Sequence, residues 1–226
     1  MLLNTAHTDD VSGYVSDETL AWLAGIEASG RRVLVCGHHP ILPHSVNESA
    51  RADLTQGREA LVRLLASSRL PLYLAGHRHI GHWSRADGLT EILAAKTDTW
   101  PLTVGVLTLT ENSADFALSP LFTEGDKTLR QAEASTDALA LAMGTGALQG
   151  TSFEGDEGMT AYFSRIYKAY LGGRLNTIRD ECLRDACYAA WQSEEITSIF
   201  KPWLAFLLAN ATEDTTQLHL ALAEGK

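Results

Sequence analysis

Hydrophobic positions in this chain follow two regimes. In the first half they come as short runs of strand length. Beyond about residue 123 they recur at helical spacing. Two runs stand out, Val33-Leu34-Val35-Cys36-Gly37-His38-His39-Pro40 and Leu72-Tyr73-Leu74-Ala75-Gly76-His77-Arg78-His79. Each is continuously apolar, which is how a strand covered on both faces reads, and each ends in Gly followed by histidine. Between them Leu61, Leu64 and Leu65 mark one face of an amphipathic helix over residues 59–67. The pattern predicts a βαβ crossover, with the histidines at the carboxyl ends of two neighbouring strands.

The remaining elements follow from the same periodicities. Residues 1–5 read as a strand, and Ser16 or Asp17 caps a helix running to about Ala28. Residues 89–95, 102–110 and 114–118 read as antiparallel strands, the last two turning at Asn112-Ser113. After the polar break at Glu124-Gly125-Asp126-Lys127, residues 129–143 are helix-like, and the glycine-bearing stretch 144–158 reads as a loop or hinge. Met159, Tyr162, Phe163, Ile166, Tyr167 and Tyr170 share helical spacing up to Gly172-Gly173. A helix capped by Asn176 or Thr177 runs toward Trp191. Another starts at Ser193 and is kinked by Pro202, and residues 213–223 form a last helix. The predicted class is α/β, in two regions: 1–123, and a helical region 124–226.

Composition narrows the functions. Of 226 residues 45% are hydrophobic and 20% charged, a globular balance. A formal charge of −10 argues against a nucleic-acid polymer as partner, because such binding depends on neutralising phosphates. A small phosphate ester is not excluded by it. Cys36, Cys182 and Cys187 form no disulfide framework, which suggests reduced thiols and a cytoplasmic location. There is no signal-peptide pattern and no run of about 18 apolar residues, so neither secretion nor a membrane span is expected.

The chemistry lies in the histidines. Neutral imidazole is a common ligand for zinc, iron and manganese. On an extended segment His77 and His79, two apart, point the same way, and His38 arrives from a second strand. His44 reads as a solvated loop residue, with contact to substrate as the alternative, and His82 as a surface or packed residue, with support of the metal ligands as the alternative; Ser45, Asn47 and Glu48 share the loop with His44, and Trp83 reads as a packing residue.

Gly37-His38-His39-Pro40 followed by Gly76-His77-Arg78-His79 resembles the last two motifs of the calcineurin-like metallophosphoesterases. The likeness extends over about residues 1–122: Leu2-Leu3-Asn4-Thr5, the Trp22-Leu23 pair and the closing strands after His79 resemble the family's. The resemblance implies the C-terminal half of an α/β/β/α sandwich and hydrolysis of a phosphate ester. His38 and His77 would bind one metal and His79 another, and His39 would shape the pocket and contact phosphate in a catalytic role. The metals would be Mn, Fe or Zn, two in the family.

The family's first-half motifs, Asp-x-His, Gly-Asp and Gly-Asn-His, have no counterpart in the family's order. Gly125-Asp126 and Gly155-Asp156 come after the histidines, and Ala6-His7-Thr8-Asp9-Asp10 follows a strand where the family has a loop. Without an anionic bridge two dications repel strongly in a low-dielectric pocket, so one metal or none is expected here, with impaired chemistry. The expectation is an N-terminally truncated metallophosphoesterase. The alternative is a non-catalytic remnant that binds a protein partner, or another copy of itself, through residues 124–226.

Overall fold

The computed structural model describes residues 1–6, 12–44 and 55–222. Among them are seven α-helices and two β-sheets, a mixed α/β chain. The chain divides into two compact units: Met1–Ala94, Gly105–Ala117 and Gln217–Lys226 form the first, and Ala95–Val104 with Leu118–Thr216 the second.

The first unit is built on a four-stranded sheet. β1 (Val35–Cys36), β2 (Leu72–Ala75), β3 (His82–Ala86) and β4 (Leu89–Leu93) stand in the order β1-β2-β4-β3. β1, β2 and β4 run parallel, and β3 is antiparallel to β4. The two histidine strands are therefore parallel neighbours, joined through α2 (Arg58–Ala66), whose Leu61, Val62 and Leu65 are buried. α1 (Asp17–Glu27) is capped as its sequence predicts, with Ser16 Oγ accepting from Thr19 N at 3.1 Å. The segment at residues 1–5 lies beside β1 through a parallel bridge, Leu2 to Cys36. β4 departs from the expected antiparallel meander. It is buried at every position and parallel to β2, because it occupies the sheet interior with a partner on each side.

The second sheet orders β5 (Thr103–Leu109), β6 (Ser113–Pro120) and β7 (Gln217–Ala221) as β5-β6-β7. β7 corrects the helix expected over residues 213–223. Leu218 is buried between exposed Gln217 and His219, a period of two, and the strand pairs antiparallel with β6.

The second unit holds α3 (Lys127–Leu148), α4 (Glu157–Leu171), α5 (Leu175–Arg184), α6 (Ala186–Gln192) and α7 (Phe200–Asn210). Their shared core includes Phe163, Ile166, Trp191, Trp203 and Leu204. Two glycines expected to open a hinge, Gly144 and Gly146, lie inside α3. At Gly144 a Cβ would stand 2.7 Å from Ser164 Oγ and 2.8 Å from Thr160 O, so the glycine serves close approach of α3 to α4. Asp185 ends α5 and caps α6, splitting the helix expected to run toward Trp191. Arg174, with no side-chain cap bond, precedes α5 in place of the predicted Asn176 or Thr177 cap. Pro202 sits in the first turn of α7, where the missing N–H has no intrahelical partner to lose, and so does not kink the helix. The cysteines are free. Among the described residues no helix is long and apolar enough to cross a membrane.

Candidate metal centre

β1 and β2 deliver their histidines to one place. At the ends of these strands Gly37 N donates to Leu74 O at 2.9 Å, and Gly76 N donates to His38 O at 3.0 Å. The pairing thus continues past both strands and ties the two Gly-His corners together. Gly37 has to be glycine, because Tyr73 from β2 fills the space a Cβ would take. The Tyr73 hydroxyl donates to His39 O at 3.3 Å, fixing the next peptide.

His38, His39 and His77 converge. One ring nitrogen from each lies within 4.8 Å of the others, and this group of three could hold a metal ion. His38 Nε2 and His77 Nδ1 are 3.3 Å apart. Tetrahedral coordination at the usual zinc–nitrogen distance sets ligand atoms about 3.3 Å apart, so this edge already fits a cation. The ring centroids of His39 and His77 are 4.7 Å apart, close enough for side-chain rotation to complete the set.

Thr5 supports the cluster from below. It is 1% exposed. Its Oγ1 lies 3.3 Å from the amides of both His38 and His39, which donate to it, and 2.9 Å from His39 Nδ1. The contact anchors the His39 ring by Nδ1, so Nε2 is the nitrogen left for a cation, which binds there as any proton on it departs.

His79 stands apart. It is exposed and lies outside the group of three. The backbone explains this. His77 and His79 both have positive φ, 64° and 60°, and Arg78 N donates to Gly76 O at 2.7 Å. The segment is tightly turned rather than extended, so spacing of two does not align the rings. His39, which the sequence offered as a catalytic residue, joins the nitrogen cluster in its stead.

A second polar cluster lies in the same unit. Glu91, in the interior strand β4, is fully buried. Its carboxylate accepts from Ile41 N at 3.0 Å and Leu42 N at 2.6 Å, and His44 Nε2 lies 3.3 Å away. His44 Nδ1 is in turn 2.8 Å from His82 Nδ1. Burial pushes the Glu91 carboxyl up to about 8, against the pull of the Ile41 and Leu42 amides. Burial, then the neighbouring His44 ring, holds His82 down to about 3. A glutamate in the apolar run Leu89-Thr90-Glu91-Ile92-Leu93 was the signal for this cluster, because an ionisable group in a covered strand needs buried partners.

The other sequence candidates have structural duties. Asp126 Oδ1 accepts from Thr128 N at 2.7 Å and Asp156 Oδ1 from Met159 N at 2.9 Å, so both Gly-Asp pairs cap helices. Trp83 Nε1 donates to Gln217 O at 2.7 Å. His7, Asp9 and Asp10, and Ser45, Asn47 and Glu48 beside His44, lie outside the described residues. In comparisons with known proteins, no family model and no curated protein matches the chain.

Proposed function

We propose that the first unit carries a metallophosphoesterase-type centre that holds one divalent cation on His38, His39 and His77 and takes a small phosphate ester. The observation that carries this reading is the 3.3 Å separation of His38 Nε2 and His77 Nδ1 at the tips of two parallel strands. Zinc, manganese or iron(II) suits three imidazoles. The cation would supply Lewis acidity toward a phosphoryl oxygen and lower the pKa of water. The chain's own part is to set the nitrogens: Thr5 orients His39, and the Gly37 and Gly76 corners hold the two strand tips together.

The resemblance of Gly37-His38-His39-Pro40 and Gly76-His77-Arg78-His79 to the calcineurin-like motifs supports the phosphoester class. The fold this reading requires is the α/β/β/α sandwich of that family. One cation is favoured over two because the histidine group contains no carboxylate to bridge a pair of dications. For the same reason turnover is slow.

The test is metal titration of the full chain, followed by hydrolysis of a chromogenic phosphodiester with manganese. We expect one bound equivalent and slow turnover that disappears in His77→Ala. Two tightly bound equivalents, or turnover indifferent to a chelator and to His77→Ala, would overturn the reading.

A further inference from the structure

The Glu91–His44–His82 chain plays no part in holding the cation, yet it grips the segment that leaves the metal centre. His38 and His39 are followed at once by Pro40, Ile41 and Leu42, and the amides of Ile41 and Leu42 both end on the Glu91 carboxylate. His44 closes the same segment onto the same carboxylate through Nε2, and onto His82 of β3 through Nδ1. Two amides and one imidazole of residues 41–44 are thereby fastened to one buried side chain, and His82 joins the chain through His44.

The proton count of this chain is restrictive. The His44–Glu91 contact holds one proton, whether on nitrogen or oxygen. The His44–His82 contact, Nδ1 to Nδ1 at 2.8 Å, also holds one. A second proton there would set two N–H groups face to face and leave a cationic ring, 5.0 Å from its neighbour's centroid, in a buried site.

Across β2 the residue beside Glu91 is Tyr73, whose hydroxyl burial pushes up; beyond it on β1 stands Val35, followed by Cys36, whose thiol burial raises too. Across β3 it is Ser84. On α2, Arg58 and Glu59 pair with each other and Arg63 is exposed. Among the described residues no further buried carboxylate is at hand to take up an added positive charge.

We propose that Glu91, His44 and His82 form an acid-released latch on residues 41–44, and that through this segment the latch positions His38 and His39. At neutral pH the hydrogen-bonded chain is complete and the segment is fixed. On acidification a second proton enters the His44–His82 contact, the rings separate, and the segment comes away from β4. Its consequence for cation binding rests on the metal reading above. The latch itself does not.

The test uses amide hydrogen exchange on the full chain, without metal, at pH 7 and pH 4.5. The protection factors of Ile41 and Leu42 should fall by about tenfold or more relative to those of Ile92 and Leu93. His82→Gln removes the ring that shares the second proton, so there the ratio should stay flat. Glu91→Gln should leave Ile41 and Leu42 poorly protected at both pH values, and if that variant fails to fold, His82→Gln carries the comparison alone. A ratio that changes equally in wild type and His82→Gln, or stays flat in both, overturns the latch.

Zinc titration of the same two proteins reads the consequence. Between pH 7 and 5.5 the wild type should lose about fivefold more affinity than His82→Gln. Equal losses overturn the coupling. Zinc binding without the exchange step overturns the latch and leaves the metal reading standing. The step without any zinc binding by the wild type overturns the metal reading and leaves the latch.

Discussion

The hydroxyl of Tyr73 occupies the space that a side chain on Gly37 would need, so a residue of one histidine strand dictates glycine on the other. The same hydroxyl then bonds to His39 O at 3.3 Å. Gly37→Ala must displace Tyr73, which is fully buried. We expect a loss of about 1–3 kcal/mol, the range for overpacking in a filled core, read from chemical denaturation. The double variant Gly37→Ala/Tyr73→Phe should recover part of it, because the oxygen in the way is gone.

The proposed cation site predicts a graded series. His38→Ala and His77→Ala each remove a ligand nitrogen and should abolish tight zinc binding in a chelator competition. His79→Ala, outside the cluster, should leave binding unchanged. Thr5→Val keeps the shape but removes the anchor of His39 Nδ1, and should weaken zinc by about tenfold, as lost outer partners of metal ligands do.

Stability against pH carries opposite slopes from the two ends of the latch. His82 is held down to about 3 from its ordinary 6.5, so the unfolded chain takes up a proton that the folded chain refuses. Its contribution is present above about 6.5 and lost as pH falls toward 3. Glu91 is pushed up to about 8 from 4.5, so the folded chain keeps a proton that the unfolded chain gives up, and stability falls as pH rises from 4.5 through 8. Between about 4.5 and 6.5 the two slopes oppose each other. Urea midpoints measured against pH should therefore show a plateau there from these groups, with a decline on each side. Glu91→Gln should flatten the alkaline decline and His82→Gln the acid one.

Gly144→Ala tests whether the α3 glycine is there for packing. Alanine favours an open helix position by about 1 kcal/mol over glycine. Here its Cβ meets the Thr160 carbonyl at 2.8 Å, a backbone atom that cannot turn aside. The variant should melt at a lower temperature than wild type, whereas Gly146→Ala, with nothing within 4 Å, should melt higher.

What the sequence disclosed depended on whether partners were local. Val35-Cys36 and Leu72 to Ala75 were readable as adjacent strands because continuous apolar runs ending in glycine report burial directly. β3 escaped notice because His82-Trp83-Ser84-Arg85-Ala86 has no such run. It is a strand because β4 offers it a full antiparallel register. The histidine cluster was legible by type and order, but not which rings meet, since that depended on positive φ at His77 and His79. Gly144 read as a breaker, because its reason for being glycine lies on another helix, at Thr160 and Ser164. The Glu91–His44 contact joins positions 47 apart in the chain, a separation no local pattern spans.

β6 lies between β5 and β7, and β7 begins only at Gln217. During translation every other strand described here leaves the ribosome before it. Until β7 emerges, Ala114 and Phe116, buried in the folded protein, belong to a strand with an unpaired rim, the kind of surface that recruits stray chains. A nascent chain halted before Gln217 would carry its histidine strands complete and still be prone to self-association, which makes the emergence of β7 a checkpoint for folding.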